Sequence, residues 1–536
     1  MNFKGLFIAF LSIIITINIA GSYNIATCQS INKGNSKEVE YKNNLMTKLK
    51  ENKAIIYALI IRTFNANDQN NNDLIDINEK ENLGSFVNAT ERLGKLKALG
   101  VNTIHLLPVF PVGKHDALGN AGSLYSPASF LEIDSKLDDS NNPDNVKEEM
   151  KSFIDKCHQK DISVMLDVPC CASTDLFKKQ PELFLTDSNN NAVIPHNWTD
   201  IRLFKVYEDN KNKTLNSSLL KMHKDLVDMC IELGIDGIRA DVARTKPPEF
   251  WVELITYART KDPEFGFLAE SFCNEKNSTI ANIPPDNAGE LLESGFDSYY
   301  GVYNQFNKWS GASEFHNQII NNLKQLNSNT SPKSLIGSFT THDEISPMLI
   351  GGISYYRLLT ILMSTLPSTN PYLVSGFESG DSYLYKYEGD NANYTDTDSN
   401  KYFLHHGRID IFNYSRKPGG NNPEIGVFIK KVFKIRKKYQ DIIIMGSYIP
   451  LPVKNNPDDQ IISYARKFKD KYLIIIANKD LNADQTGNVL YPNGLTKNNT
   501  KLILLLKRKQ SLCKLSEDYI EVSLPPAYFC LFYGRI

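Results

Sequence analysis

The chain reads as a (β/α)8 TIM barrel, with a short subdomain inserted after strand 3 and a C-terminal antiparallel β-sandwich. Three observations predict this. From Ala54 to about Tyr439, short β-rich apolar runs alternate with amphipathic runs of helical period, the pattern of strand-helix units around a parallel sheet. Three of the apolar runs end in an acid, at Asp241, Glu270 and Asp343, and a parallel barrel gathers the C-terminal ends of its strands on one face, where active sites lie. After Tyr439 the helical period gives way to short strands separated by Asn-, Asp- and Lys-rich turns.

Met1 to about Ala26 carries Lys4, the apolar run Leu6 to Ala20, and then small and polar residues. This is the layout of a secretory signal peptide. The run is shorter than the roughly 20 residues of a transmembrane helix, and a membrane anchor is the alternative reading. Ile25-Ala26-Thr27-Cys28 loosely resembles a lipoprotein site. Residues 27–53 are expected to be a tether, and the protein to be secreted or periplasmic.

Barrel strands are expected at Ala54–Arg62, Asn102–Leu107, Ile162–Val168, Gly237–Asp241, Gly266–Glu270, Phe296–Tyr300, Leu335–Thr340 and Tyr372–Val374. Helices are expected at Val87–Leu99, Asn145–Gln159, Leu215–Leu233, Pro248–Ala258, Ala312–Leu323 and Tyr355–Met363. The barrel domain thus runs over 54–439. Residues 168–216 break its rhythm with polar and aromatic residues, among them Trp198 and Phe204, which either line a cleft or form local core. Residues 440–536, with strands at Ile461–Lys467, Tyr472–Asn478, Leu502–Lys507, Tyr519–Leu524 and Ala527–Tyr533, form the second domain, in the size range of independent domains.

The 536 residues are 41% hydrophobic and 23% charged, enough for a sizeable core and more than one domain. Lysine and arginine (60) balance aspartate and glutamate (61), so no global field recruits nucleic acid or an anionic membrane. A monomer acting on a neutral substrate fits that balance. None of the eight cysteines has structural-zinc spacing. Cys513 with Cys530 is the one local pairing suggested, and the vicinal Cys170-Cys171 reads as buried thiols.

Side chains two apart on a strand face the same side, which puts Arg239 beside Asp241. A fixed guanidinium keeps a neighbouring carboxylate ionised, as a nucleophile requires. Glu270 follows Phe265-Gly266-Phe267-Leu268-Ala269, and such apolar surroundings raise a carboxyl pKa, as a proton donor requires. Asp68-Gln69-Asn70-Asn71-Asn72-Asp73-Leu74-Ile75-Asp76 alternates oxygen side chains, with a carbonyl at Leu74. Hard cations such as Ca2+ take that arrangement; the alternative is a hydrated Asn-rich loop.

The runs GIDGIRAD, FLAES and THD resemble, in order, the signature regions of the α-amylase family, glycoside hydrolase family 13. LGVNTIHLLPVFPVG and LPSTNPYLVSGFE are similar to its second and eighth strand regions. The resemblance implies Asp241 as nucleophile, Glu270 as general acid/base and Asp343 as the third acid, supported by Arg239 and His342. It also implies sugar-contacting roles for Tyr125 and Asp167. Arg244 falls where relatives place a leaving-group contact; otherwise it is an exposed arginine. The metal set Asp68, Asn70, Asn72, Leu74 and Asp76 resembles an EF-hand loop and the calcium loop of several relatives, with Asp73 departing from the usual glycine. The third-strand motif departs too: in Asp167-Val168-Pro169-Cys170-Cys171-Ala172-Ser173 the expected asparagine and histidine fall on Cys171 and Ala172.

The activity implied is retaining endo-hydrolysis of α-1,4 bonds in α-glucan or maltooligosaccharide. The alternatives are an α-glucan transferase or α-1,6-acting relative, and a non-catalytic glycan-binding or surface-assembly protein.

Overall fold

The computed structural model describes residues 41–70, 74–76, 80–117, 122–139, 144–195, 198–272, 283–327, 333–382, 414–416, 418–492, 495, 501–507 and 512–536. The barrel strands are β1 Ile56–Leu59, β2 Thr103–Leu106, β3 Ser163–Val168, β4 Gly237–Ala240, β5 Gly266–Ala269, β6 Ser298–Tyr299, β7 Ser334–Ile336 and β8 Thr369–Val374, the last broken at Pro371. Each pairs in parallel with the next, and Ile56 pairs with Tyr372 to close the ring. Pro371 has no N–H to give the ladder, but its carbonyl accepts from the Ile56 N–H at 2.8 Å. Every residue in these β segments is buried, as expected of a sheet covered on both faces.

The strands are shorter than the apolar runs that signal them. Ala54–Arg62, for example, yields β1 and then a helical turn at Ile61–Phe64. The helices lie where expected, at Val146–His158, Ser217–Leu233, Pro248–Lys261, Ala312–Asn327 and Pro347–Thr365. Val87–Leu99 is instead two helices, Phe86–Thr90 and Leu93–Leu99. The eighth outer helix, Pro423–Lys438, was not expected; it packs on Pro347–Thr365. The inserted segment holds two small antiparallel ladders, Ala172–Ser173 with Ile201–Arg202 and Tyr207–Asp209 with Thr214–Leu215. Phe204 is core, ringed by Phe130, Phe184 and His223.

The end of the expected tether is a structural part of the barrel. Leu45–Lys50 is a helix, and Leu45 and Leu49 are fully buried against Ile56, Met165, Leu268, Ile336 and Tyr372 in the barrel interior. The reason is volume: a Cβ on Gly237 would lie 2.8 Å from Leu45 Cδ2, and one on Gly266 2.7 Å from Leu45 Cγ. Two strands therefore begin on glycine, and the space left is filled by Leu45. Its helix is tied down by Met46 N–H on the Glu264 carbonyl (3.0 Å) and Asn370 Nδ2 on the Leu49 carbonyl (3.0 Å).

The C-terminal domain is two antiparallel sheets, one in the order Ser447–Pro450, Ile461–Phe468, Lys471–Asn478, Phe529–Arg535, Ile503–Lys507, the other Val453–Lys454, Gln485–Leu490, Tyr519–Leu524, Leu512–Leu515. Alternation along Lys471–Asn478 serves two cores. Tyr472, Ile474 and Ile476 face the second sheet, whereas Leu473, Ile475 and Ala477 join the barrel's apolar cluster. A disulfide between Cys513 and Cys530 ties the two sheets together. Cys157, Cys170, Cys171 and Cys230 are buried thiols.

The floor packing has a measurable consequence. Leu45→Ala should lower stability by about 2–5 kcal/mol, read as a lower urea midpoint at unchanged slope. Gly266→Ala should cost about 1–3 kcal/mol by overpacking. Because the added methyl would occupy the room Leu45 vacates, the double variant should be more stable than the sum of the two losses.

Candidate active site

Strand register assembles the site. Asp167 on β3 pairs with Arg239 on β4, Arg239 shares a face with Asp241, and Glu270 follows β5 as Asp241 follows β4. One guanidinium therefore meets three carboxylates. Arg239 Nη1 donates to Asp167 Oδ1 and to Asp241 Oδ1, each at 2.8 Å, and Nη2 ion-pairs with Glu270 Oε2 at 3.0 Å. Its Nε donates to the Tyr300 hydroxyl at 3.1 Å. Arg239 is fully buried, so its charge acts on the three acids with little screening.

One cation cannot hold three adjacent carboxylates ionised at neutral pH, and the site divides the load. Asp167 is held at about 2: burial alone would raise it, but Arg239 and the His105 hydrogen bond outweigh burial. Glu270 is pushed up to about 7 by burial, with the Asp241 charge adding to the rise and Arg239 opposing it. Asp343 is also raised well above the usual carboxylate range, by burial and by Glu270. Two carboxyls with separated proton affinities are the arrangement acid/base chemistry uses.

Backbone donors complete the two central acids. Asp241 Oδ2 accepts from the Cys170 N–H at 2.9 Å, and Glu270 Oε2 from the Val242 N–H at 2.8 Å. Val242 sits at φ 32°, ψ 60°, a left-handed conformation that disfavours a β-branched residue and costs roughly 1–3 kcal/mol. That turn aims its N–H at Glu270.

His342 and Asp343 follow β7 in a turn, not in the strand expected to reach Thr340. His342 Nε2 lies 2.7 Å from the Tyr125 hydroxyl and 3.5 Å from Asp343 Oδ2. The Tyr125 hydroxyl donates to Asp167 Oδ2 at 2.9 Å, and its ring stacks parallel to that of His342. Tyr125, Asp167, Arg239, Asp241, Glu270, His342 and Asp343 thus form one connected network. Arg244 is buried rather than exposed, and its Nη1 donates to the Pro284 carbonyl at 3.1 Å.

Three participants escape sequence reading. His105 spans the Tyr372 hydroxyl (2.9 Å) and Asp167 Oδ2 (3.0 Å). Its only signal is an imidazole in the otherwise apolar run Ile104-His105-Leu106. Tyr300 reads as a strand aromatic, and Tyr372 likewise. Cys171 and Ala172, at the places of the expected asparagine and histidine, are fully buried; Cys171 packs with Cys170, Ile201 and Leu203.

Of the proposed metal ligands, Asp68 and Asn70 precede the described segment Leu74–Asp76, which pairs with Tyr414–Arg416, and Asn72 lies outside the described residues. Glu81 Oε1 accepts from the Gln69 N–H at 2.7 Å. Among the described residues no group of three or more His, Cys, Asp or Glu is placed to hold a metal ion.

No protein-family model matches the chain. Among curated proteins it is similar to the alpha-1,4-glucan:maltose-1-phosphate maltosyltransferase of Bifidobacterium animalis subsp. lactis, 23% identical over 436 residues, 77% of this chain and 54% of that protein. The Mycobacterium tuberculosis enzyme of the same name is 24% identical over 44% of this chain and 33% of its own length, and an alpha-amylase of Haloarcula japonica 27% over 46% and 32%. The chain thus spans about half, or less, of the curated relatives it matches. Among solved structures, a maltogenic alpha-amylase of Thermotoga neapolitana superposes with TM-score 0.64 at 18% identity, over 91% of this chain and 99% of that one. A trehalose-6-phosphate hydrolase of Bacillus licheniformis gives 0.61 at 16%, over 91% and 100%. The chain is thus similar in sequence to curated alpha-1,4-glucan maltosyltransferases and an alpha-amylase, and it shares its fold with solved alpha-amylases.

Proposed function

We propose that the chain is an exported retaining glycoside hydrolase that cleaves α-1,4-glucosidic bonds in starch, glycogen or maltodextrins. One observation carries the proposal: Asp241 and Glu270 grip the same guanidinium, which holds the two carboxyls close together, with Glu270 pushed up to about 7. Retaining enzymes need about 5 Å between such groups, whereas inverting ones leave room for a water, at roughly 6.5–9.5 Å.

In this reading an Asp241 oxygen attacks the anomeric carbon while the Glu270 carboxyl gives its proton to the departing glycosidic oxygen. The covalent glycosyl-enzyme is then opened by water, with Glu270 taking the water's proton as it attacks. Asp343 and His342 hold the sugar's hydroxyls, and Tyr125 offers its ring beside them. Export is supported by the Cys513–Cys530 disulfide, a bond that persists in oxidising compartments; the N-terminal residues proposed to direct it lie outside the described residues. The chemistry to Glu270 and Asp241 is common to hydrolysis and transfer, and the maltosyltransferase relatives favour transfer as the second reading.

Products separate the two. On soluble starch, pullulan and maltoheptaose the purified protein should release short maltooligosaccharides with new reducing ends, and Asp241→Asn should lose about 10⁴-fold or more of that activity. Elongated products without new reducing ends, or maltosyl transfer from maltose 1-phosphate to maltoheptaose, would establish the transferase instead. Binding without turnover would leave a glycan-binding protein.

The acidity of Glu270 adds a second expectation. A proton donor works only while protonated, so kcat/KM should fall tenfold per pH unit above about 7. A profile flat through pH 9 would remove Glu270 from the role.

We also propose calcium at Asp68, Asn70, Asn72, the Leu74 carbonyl and Asp76, supported by their alternation of oxygen donors. A bound cation would hold this loop together and take no part in the steps above. EDTA should lower the melting temperature and added Ca2+ restore it; an unmoved transition, with no calcium on the purified protein, would remove the site.

A further inference from the structure

Five residues beyond Asp241, Lys246 is 3% exposed, and it ion-pairs with none of the described residues. Its Nζ donates to the Cys170 carbonyl at 3.1 Å and lies 5.3 Å from the Phe204 ring centre and 5.9 Å from that of Trp251. An ammonium buried without a counter-ion is destabilising, and burial pulls its pKa down. A residue needed only for packing would be a methionine or leucine, with no such penalty.

The bond Lys246 makes leads to the reacting carboxylate. Cys170 is held at both ends of its backbone: its carbonyl accepts from Lys246, and its N–H donates to Asp241 Oδ2 at 2.9 Å. Pro169, with φ fixed by its ring, precedes it. The segment carrying Lys246 is itself clamped, because Trp251 Nε1 donates to the carbonyls of Ala243 (2.9 Å) and Lys246 (3.1 Å). With Oδ1 on Arg239 and Oδ2 on Cys170, the rotation of the Asp241 carboxylate is set from both sides.

We propose that Lys246 is a positioning residue: through the Cys170 backbone it fixes the rotation of the Asp241 carboxylate and so its line of attack on the anomeric carbon. This rests on Asp241 being the nucleophile. Misplacing a reacting group by an ångström lowers a rate about 100-fold, while ground-state binding of the sugar is left alone.

The test is covalent labelling by 5-fluoro-α-maltosyl fluoride, followed by intact mass spectrometry and peptide mapping. In this reaction an Asp241 oxygen bonds to the anomeric carbon, the C–F bond breaks, and fluoride leaves with the bonding pair. Fluoride needs no proton, so Glu270 is not read. Wild-type protein should be labelled on Asp241. Lys246→Met, which keeps volume and loses the ammonium, and Lys246→Gln should be labelled at the same residue about 10- to 100-fold more slowly at saturating probe. The half-saturating concentration should stay within about twofold, because ground-state binding is not the target. Labelling of both variants at the wild-type rate, a change confined to the half-saturating concentration, or failure of both to fold would overturn the role of Lys246 while leaving Asp241 in place. Wild-type protein labelled elsewhere, or not at all, would overturn the nucleophile assignment and this inference with it.

Discussion

Arg239 brings one buried positive charge to the strand ends, with Asp167, Asp241 and Glu270 within 3.0 Å of its nitrogens. The rest of the barrel mouth follows from that imbalance. A buried cation without partners is untenable, and so is a cluster of buried anions with too few cations. The pocket resolves this by giving Asp167 a second support in His105 and by leaving Glu270 to carry a proton near neutrality. The Asp241 charge raises the proton affinity of Glu270, and Glu270 in turn raises that of Asp343.

The scaffold makes such a cluster affordable because its precision comes from backbone register rather than from loops. Asp167, Arg239 and Leu268 lie side by side across three hydrogen-bonded strands, and the residues that follow β4 and β5 inherit that alignment. At the opposite end, Leu45 fills the space that the absent side chains of Gly237 and Gly266 leave open. The same two strands thus support the floor at their first residue and the acids just past their last. The second domain adds stiffness along the side, where Tyr464 and Arg466 bond to the end of the helix Pro347–Thr365.

Which parts were legible in the sequence follows from the range of the forces involved. Strand-to-helix rhythm and acids at strand ends are local patterns, so the eight strands and the antiparallel sheets that follow them could be read, as could an arginine two residues before the aspartate it bonds. Leu45 escaped because six residues of helix in a polar neighbourhood have no period to detect; the glycines that accommodate it, Gly237 and Gly266, are far along the chain. His105, Tyr300 and Lys246 escaped for the same reason, since each is explained only by a partner contributed by another strand or loop. Of the three, His105 alone leaves a sequence trace, an imidazole inside an apolar run, and that signal is ambiguous until the register is known.

The departure at Cys171 and Ala172 shows how the acids tolerate change around them. These side chains stand where relatives are expected to carry an asparagine and a histidine, yet the second donors to Asp241 and Glu270 are the backbone N–H groups of Cys170 and Val242. Backbone donors do not depend on which side chains follow. On the side of Asp167, the polar bonds come instead from Tyr125, which also meets His342, and from His105. The bonds to Asp241 and Glu270 are therefore made by main chain and Arg239, while Tyr125, His342 and Asp343 form a separate polar corner. Under the proposed function, a change of acceptor would arise in that corner without any change to Asp241 and Glu270.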